Sequence, residues 1–176
     1  MDTVIKQENL NNDVGDLLAQ MTSDLQNYIK QKNLDDPVMV GIHTAGVWIA
    51  ESLHTSLEIK EPLGELNISF YRDDYSKIGL HPQIQPSKLP FSIENRHIIL
   101  VDDVLYTGRT IRAAMNELFD FGRPASITLV VLVDRGMQEL PISAKVVGLK
   151  TSNMKADSYY KISKVNDKLE LNIKQP

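Results

Sequence analysis

Apolar residues recur along this chain in two rhythms, and the alternation between them predicts its elements. Val14, Leu17, Leu18, Met21, Leu25, Tyr28 and Ile29 fall three or four apart, so residues 9–32 are predicted to form an amphipathic helix. Asp35, Asp36 and Pro37 end that pattern. Val38 to Ile42 is continuously apolar and reads as a buried strand. His43, Thr44, Ala45 and Gly46 then turn the chain into a second helix holding Val47, Trp48, Ile49, Ala50 and Leu53. Glu65 to Tyr71 alternates as a strand does. Ile98 to Val101 is a further buried strand that ends in Asp102 and Asp103, with a helical pattern from Ile111 to about Phe121–Gly122. Ser126 to Val133 is β-branched and apolar, and Lys145–Val147, Ser158–Ser163 and Lys168–Ile173 read as shorter strands. Tyr28, Trp48 and Phe119 sit at helical core spacing and are expected to be packing residues.

Strand and helix alternate through the middle of the chain, which predicts an α/β fold: a mostly parallel sheet with helices on both faces. The 176 residues suit a single domain, 1–176, with no internal repeat and no linker. Parallel sheets take ligands at the carboxyl ends of their strands. The loops after Ile42, Tyr71, Asp103 and Val133 would share that edge. Residues 72–90 stand apart: Gly79, Pro82, Pro86 and Pro90 interrupt mixed charges with little periodicity. A connection this long in a compact domain is usually functional.

Composition narrows the classes. Cysteine is absent, which removes disulfides, zinc–thiolate sites and thiol catalysis. No apolar stretch approaches the roughly 18 residues of a membrane span. The polar, acidic start MDTVIKQENLNNDVGD is neither a secretory signal nor a basic transit peptide, so a cytoplasmic protein is expected. With 19 basic against 23 acidic residues the net charge is −4, which gives nucleic-acid binding no general support.

The densest chemistry lies in IILVDDVLYTGRT, residues 98–110. Two adjacent carboxylates can accept hydrogen bonds from neighbouring sugar hydroxyls, and as paired negative charges they can stabilise a cationic anomeric carbon. Thr107, Gly108, Arg109 and Thr110 then form a small-residue turn at a helix start, where backbone amides and the helix dipole can hold a phosphate. The plain alternative is a helix start capped by an acid or by Thr107. The ligand this arrangement predicts is a ribose 5-phosphate.

That segment resembles the phosphoribosyl pyrophosphate (PRPP) signature of type I phosphoribosyltransferases. LYTGRT after the acids is similar to one subgroup, the pyrimidine-operon regulators with uracil phosphoribosyltransferase activity. VGIHTAG at 40–46, FYRDD at 70–74, FGRPASI at 121–127 and VLVDRGMQELP at 131–141 fit the same resemblance in the same order. It implies a mostly parallel sheet with flanking helices, a flexible loop about 72–90 and a hood about 134–176. It also implies magnesium-dependent transfer of ribose 5-phosphate from PRPP to uracil, giving UMP and pyrophosphate, by a homodimer or higher homo-oligomer.

Carried over residue by residue, the resemblance makes Asp102 and Asp103 the ribose-binding, catalytic acids. Val104, Leu105, Tyr106, Thr107, Gly108, Arg109 and Thr110 become the phosphate cradle, and Thr44, Ala45 and Gly46 the pyrophosphate loop. Arg72, Asp73, Asp74 and Lys77 open the loop that closes over PRPP, with Arg72 the preferred pyrophosphate cation and Lys77 the second. Val133, Asp134 and Arg135 lie beside the base. Magnesium would arrive with PRPP, with Asp102, Asp103 and Asp134 as candidate carboxylates. The chain departs from the pattern where relatives commonly carry lysine and arginine, at His43 and Ala45.

The rival expectation is an RNA-binding attenuator that senses UMP. RNA-binding relatives carry basic residues on the first helix and after the DRG turn. This chain has Asp13, Gly15, Asp16, Gln20 and Asp24 on the former, and Met137, Gln138 and Ser143 on the latter. Like charge repels phosphate, so RNA binding through that usual surface is not expected. A third expectation is a sensor of PRPP or UMP without catalysis.

Overall fold

A computed structural model describes residues 13–68, 86–151 and 158–174. Helix α1, Val14–Lys32, starts at Asp13, whose side chain accepts a hydrogen bond from Gly15 N at 2.8 Å. It ends at Asn33 in the left-handed conformation, and it buries Val14, Met21 and Leu25 along one face. Residues 9–12 of the predicted helix lie outside the described residues. Strand β1, Val38–Ile42, is buried at every position, as its unbroken apolar run requires. Helix α2, Ala45–Ser56, lacks a side-chain cap at Thr44. That omission costs about 1 kcal/mol. Burial of Ile49 and Leu53, worth about 1.5–3 kcal/mol each, outweighs it.

Strand β2, Gly64–Leu66, is shorter than the alternation predicts, and Tyr71 lies outside the described residues. As the edge strand it is met on its open side by returning chain: Glu65 and Lys88 exchange backbone hydrogen bonds at 2.8 and 2.7 Å. Strand β3, His97–Leu105, does not stop at the acids. Strand β4, Ser126–Asp134, stays extended through its apolar run, so Val104 and Leu105 still find ladder partners in Val133 and Asp134. Helix α3, Arg109–Phe121, begins two residues before the predicted Ile111, because Arg112 N already bonds Gly108 O at 2.9 Å. Its buried stripe is Ile111, Ala114 and Leu118. Phe119 is therefore turned off the core and 57% exposed, contrary to the packing role expected for it; Trp48 does pack against the core.

Strands β1 to β4 with β5, Val146–Lys150, form one parallel sheet in the order β2-β1-β3-β4-β5. Strands β6, Tyr159–Val165, and β7, Lys168–Lys174, form an antiparallel hairpin turned at Asn166–Asp167, both at positive φ. The hairpin buries Tyr160 and Ile162 with α1, and Lys164 pairs with Glu51 of α2 at 3.5 Å. Alternate residues of the central strands feed two cores. Ile99 and Val101 pack under α1 and α2; Ile98 and Leu100 pack under α3. Since α2 and α3 cover opposite faces, the chain leaving β1 and the chain leaving the adjacent β3 diverge. A crevice opens between them at the carboxyl edge, where ligands enter such sheets.

Candidate functional site

The acid pair lies at the floor of that crevice, and its two members are not equivalent. Asp102, in register with Val131, is only 2% exposed. This is deeper than an open strand end would place it. Its Oδ1 accepts from Asp103 N at 2.9 Å, while Asp103 Oδ1 accepts from Val104 N at 2.8 Å. Asp103 is half-buried, with its backbone in the sheet.

The turn from β3 into α3 is tight and glycine-dependent. Gly108 adopts φ 94° at the cap position and has no side chain to cap the helix; the preceding Thr107 Oγ1 accepts from Arg109 N at 3.3 Å. The outer side of the turn is clasped by the chain that follows β4. Thr107 O accepts from Glu139 N at 3.0 Å and Leu140 N at 3.3 Å. Arg109 forms an ion pair with Glu139, so its side chain is drawn to the clasp.

The turn from β1 into α2 faces the acids from the other side. The His43–Thr44 peptide is cis. A Cβ at Gly46 would lie 2.8 Å from Val101 O and 3.2 Å from Asp102 Oδ1, so only glycine lets α2 start this close to the acid pair. Thr44 is exposed and Ala45 is buried. The first turn of α2 carries no acid of its own, and the carboxylate that approaches it is that of Asp102 on β3. His43 Nε2 lies 2.7 Å from Glu65 Oε2 on β2.

Of the residues expected beside a base, Val133 is buried in the sheet, and Asp134 Oδ1 accepts from Gly136 N at 2.9 Å and Gln138 Nε2 at 2.6 Å. Asp134 thus braces its own turn. Arg135 is 7% exposed, with its guanidinium carbon 4.0 Å from the Tyr106 ring centroid, and its Nε and Nη2 have no hydrogen-bond partner. The structure therefore brings the residues of 43–46, 102–110 and 133–135 to one edge. Arg72, Asp73, Asp74 and Lys77 lie outside the described residues. Among the described residues no cluster of three or more His, Asp or Glu could hold a metal, and no helix is long and apolar enough to cross a membrane. A cavity of about 310 Å³ between Ile29, Pro37, Leu57 and Ile59 lies at the opposite, amino edge of the sheet.

Sequence reasoning did not find the Glu65 partner of His43, the Tyr106–Arg135 stack or the clasp on Thr107. Only the parallel register of Gly41 with Glu65 could have pointed to the first.

Comparison with known proteins agrees with this geometry. A family model described as phosphoribosyl transferase domain matches residues 6–167. The bifunctional protein PyrR of Nitrosococcus oceani is 58% identical over 134 residues, covering 75% of this chain and 76% of that one. The bifunctional protein PyrR of Pseudomonas syringae pv. syringae is 51% identical over 151 residues, covering 86% and 88%. Among solved structures, the hypoxanthine phosphoribosyltransferase of Staphylococcus aureus superposes with a TM-score of 0.60 at 22% identity, covering 80% of this chain and 76% of that one; at this identity the likeness speaks for the fold alone. The chain belongs to the type I phosphoribosyltransferase family. Within it, the chain groups with relatives that carry the name bifunctional protein PyrR.

Proposed function

We propose that this protein is a uracil phosphoribosyltransferase that converts PRPP and uracil to UMP and pyrophosphate. The observation that carries the reading is the pairing of two helix N-termini, those of α2 and α3, whose cap residues Thr44 and Gly108 make no side-chain hydrogen bond, across one acid pair. A substrate with an anion at each end of a ribose fits that spacing of functions: 5′-phosphate on the turn before α3, pyrophosphate on the turn before α2, sugar hydroxyls on Asp103 and Asp102. In the reaction the anomeric C–O bond breaks with its electron pair leaving on pyrophosphate. Uracil N1 forms the new C–N bond, and its proton passes to solvent. The acid pair stabilises the positive charge that develops at the anomeric carbon, and the two anion sites hold that carbon in line with the base.

Among the described residues the acid pair has no third acid or histidine grouped with it, and a two-carboxylate set suits a magnesium ion that keeps its waters and is shared with substrate phosphates. Asp102 and Asp103 are the residues that would hold it, and when bound it neutralises leaving-group charge. On the base side, Val133, Asp134 and Arg135 remain the residues proposed beside uracil. Arg72 and Lys77 remain the proposed cations of the closing loop. A cytoplasmic homodimer or larger homo-oligomer completes the reading.

A second reading, a UMP-sensing RNA-binding attenuator, is favoured by the name its relatives carry, and that name suits it at least as well. The surface argues the other way: Asp13 caps α1, Asp16 and Asp24 lie on it, and Met137 and Gln138 offer no cation after the turn. Turnover of PRPP with uracil against guanine, in magnesium, tests the first reading. UMP formation with uracil is the expected result. No turnover, together with UMP-dependent retention of pyrimidine-operon leader RNA at low salt, would replace it with the second.

A further inference from the structure

Among the described residues, a buried guanidinium stands unpaired just past the end of β4. Arg135 is 7% exposed, and neither its Nε nor its Nη2 has a hydrogen-bond partner. Charged donors left buried and unmatched cost free energy, and folded chains seldom keep them unless a partner arrives. The acids nearest in the chain are engaged elsewhere. Asp134 Oδ1 accepts from Gly136 N and Gln138 Nε2, and Glu139 pairs with Arg109. The Tyr106 ring centroid, 4.0 Å from the guanidinium carbon, covers one face of the group. The N–H donors lie in the guanidinium plane, so this stack orients them and satisfies none.

Position narrows the partner. Arg135 N bonds Leu105 O at 3.0 Å, which ties the residue to the strand that carries the acids. Asp102 is level with Val131, and Arg135 follows four residues later, about 13 Å further along the strand direction. A ribose on the acid pair keeps the glycosidic end of its base near the acids and sends the distal end outward. A guanidinium has donors and no acceptor, so at that distal end it can serve a carbonyl. Uracil carries a carbonyl at C4. Cytosine carries an amino group there, itself a donor.

We infer that Arg135, held by its stack on Tyr106, donates to the C4 carbonyl of the base and sets a preference for uracil over cytosine. The inference rests on the phosphoribosyl-transfer reading of the site. Uracil supplies the acceptor that the described residues lack. Cytosine leaves the buried donors unmatched and sets its own N–H groups against them. A site built around a hydrogen bond rejects an analogue without it more strongly than matching shape alone does.

The test compares the wild-type protein with Arg135→Met and Arg135→Gln. Each is titrated calorimetrically with UMP, CMP and ribose 5-phosphate, melted, and assayed with uracil or cytosine in PRPP and magnesium. The wild-type protein should bind UMP about 10- to 100-fold more tightly than CMP, the worth of a hydrogen bond to a charged group. Arg135→Met removes every donor and brings the two affinities together by weakening UMP. Arg135→Gln, whose amide oxygen can accept from an amino group, binds CMP at least as tightly as UMP. Ribose 5-phosphate has no base and binds all three proteins alike. The melting temperature of Arg135→Met does not fall, because a buried unpaired charge has gone. A UMP preference that persists in both variants overturns the inference. So does an equal loss of UMP, CMP and ribose 5-phosphate, which would mark Arg135 as a brace for the turn before α3. The wild-type protein also tests the contact without mutation, using the nucleotide whose C4 carries hydrogen in place of oxygen. Weaker binding than UMP is expected, and equal binding overturns the inference. A wild-type protein that turns over no uracil, yet loses its UMP preference in Arg135→Met, refutes the transferase reading and leaves this one standing. Uracil turnover with equal binding of UMP and CMP does the reverse.

Discussion

Two helix-start turns flank the same acid pair, and they are built in opposite ways. The turn before α3 is held from outside: Glu139 N and Leu140 N bond Thr107 O, and Leu140 and Ile142 lie about 3.5 Å from where a Cβ on Gly108 would be. Among the described residues the turn before α2 has no such clasp. It is seated by the close approach of Gly46 to Val101 and Asp102, and a side chain from the neighbouring strand backs His43. The proposed chemistry accounts for the difference. The 5′-phosphate belongs to substrate and product alike, so its site can be rigid throughout a turnover. Pyrophosphate must be held during bond breaking and then released, which suits a site that depends on a few side-chain contacts.

The largest effect should come from the shared floor. In Asp103→Asn the amide oxygen can still accept from Val104 N, so the strand survives while the charge is lost. Removal of one electrostatic contact to the transition state predicts a fall in kcat of about 10²- to 10³-fold, with UMP still bound. Steady-state assay with a melting curve checks it, and a variant of normal rate would remove Asp103 from the mechanism.

Gly46→Ala comes next and attacks one turn alone. The new methyl would lie 2.8 Å from a main-chain oxygen, which cannot move without shifting β3. A cost of about 1–3 kcal/mol in stability is expected. Weakened magnesium pyrophosphate binding should accompany it, read by denaturant unfolding and calorimetry. Gly108→Ala attacks the other turn by a different cause. Space is sufficient, with the nearest atom 3.4 Å away, but φ 94° is unfavourable for a residue with a Cβ. About 1–2 kcal/mol is lost. That loss should appear as weaker UMP binding with pyrophosphate binding intact. If both glycine variants lost both ligands equally, the two turns would not be separate sites.

How much of this could be read from the residues follows from how local each signal is. Val38–Ile42 and Ile98–Val101 are apolar without interruption because both faces of a parallel sheet are covered, so strand type and fold class are written within a few residues. The acid pair and the glycine turn are equally local. Where β3 ends is not: Asp102 through Leu105 stay extended only because β4 runs alongside to Asp134. Phe119 keeps helical spacing, yet Ile111, Ala114 and Leu118 win the buried stripe, and a helix has only one such face here. The contacts that distinguish the two turns are long-range pairs, His43 with Glu65 and Thr107 with Glu139, set by register between strands rather than by any motif.

The smallest expected effect asks whether backbone or side chain holds the phosphate turn. Glu139 contributes both: its amide bonds Thr107 O, and its carboxylate pairs with Arg109 on the surface. Both partners of that ion pair are about half exposed, so solvent screens it and it is worth at most about 1 kcal/mol. Glu139→Ala leaves the amide in place. If the main chain is the clasp, the turn keeps its shape, and the loss of one negative charge near the phosphate strengthens UMP binding by a few-fold at low ionic strength. The gain should vanish in about 1 M salt, where the screening length falls to about 3 Å. Calorimetry at two salt concentrations reads it directly. Weaker UMP binding at both would mean that the ion pair, not the two backbone bonds, fixes the turn, and the contrast between a rigid phosphate end and a releasable pyrophosphate end would lose its structural basis.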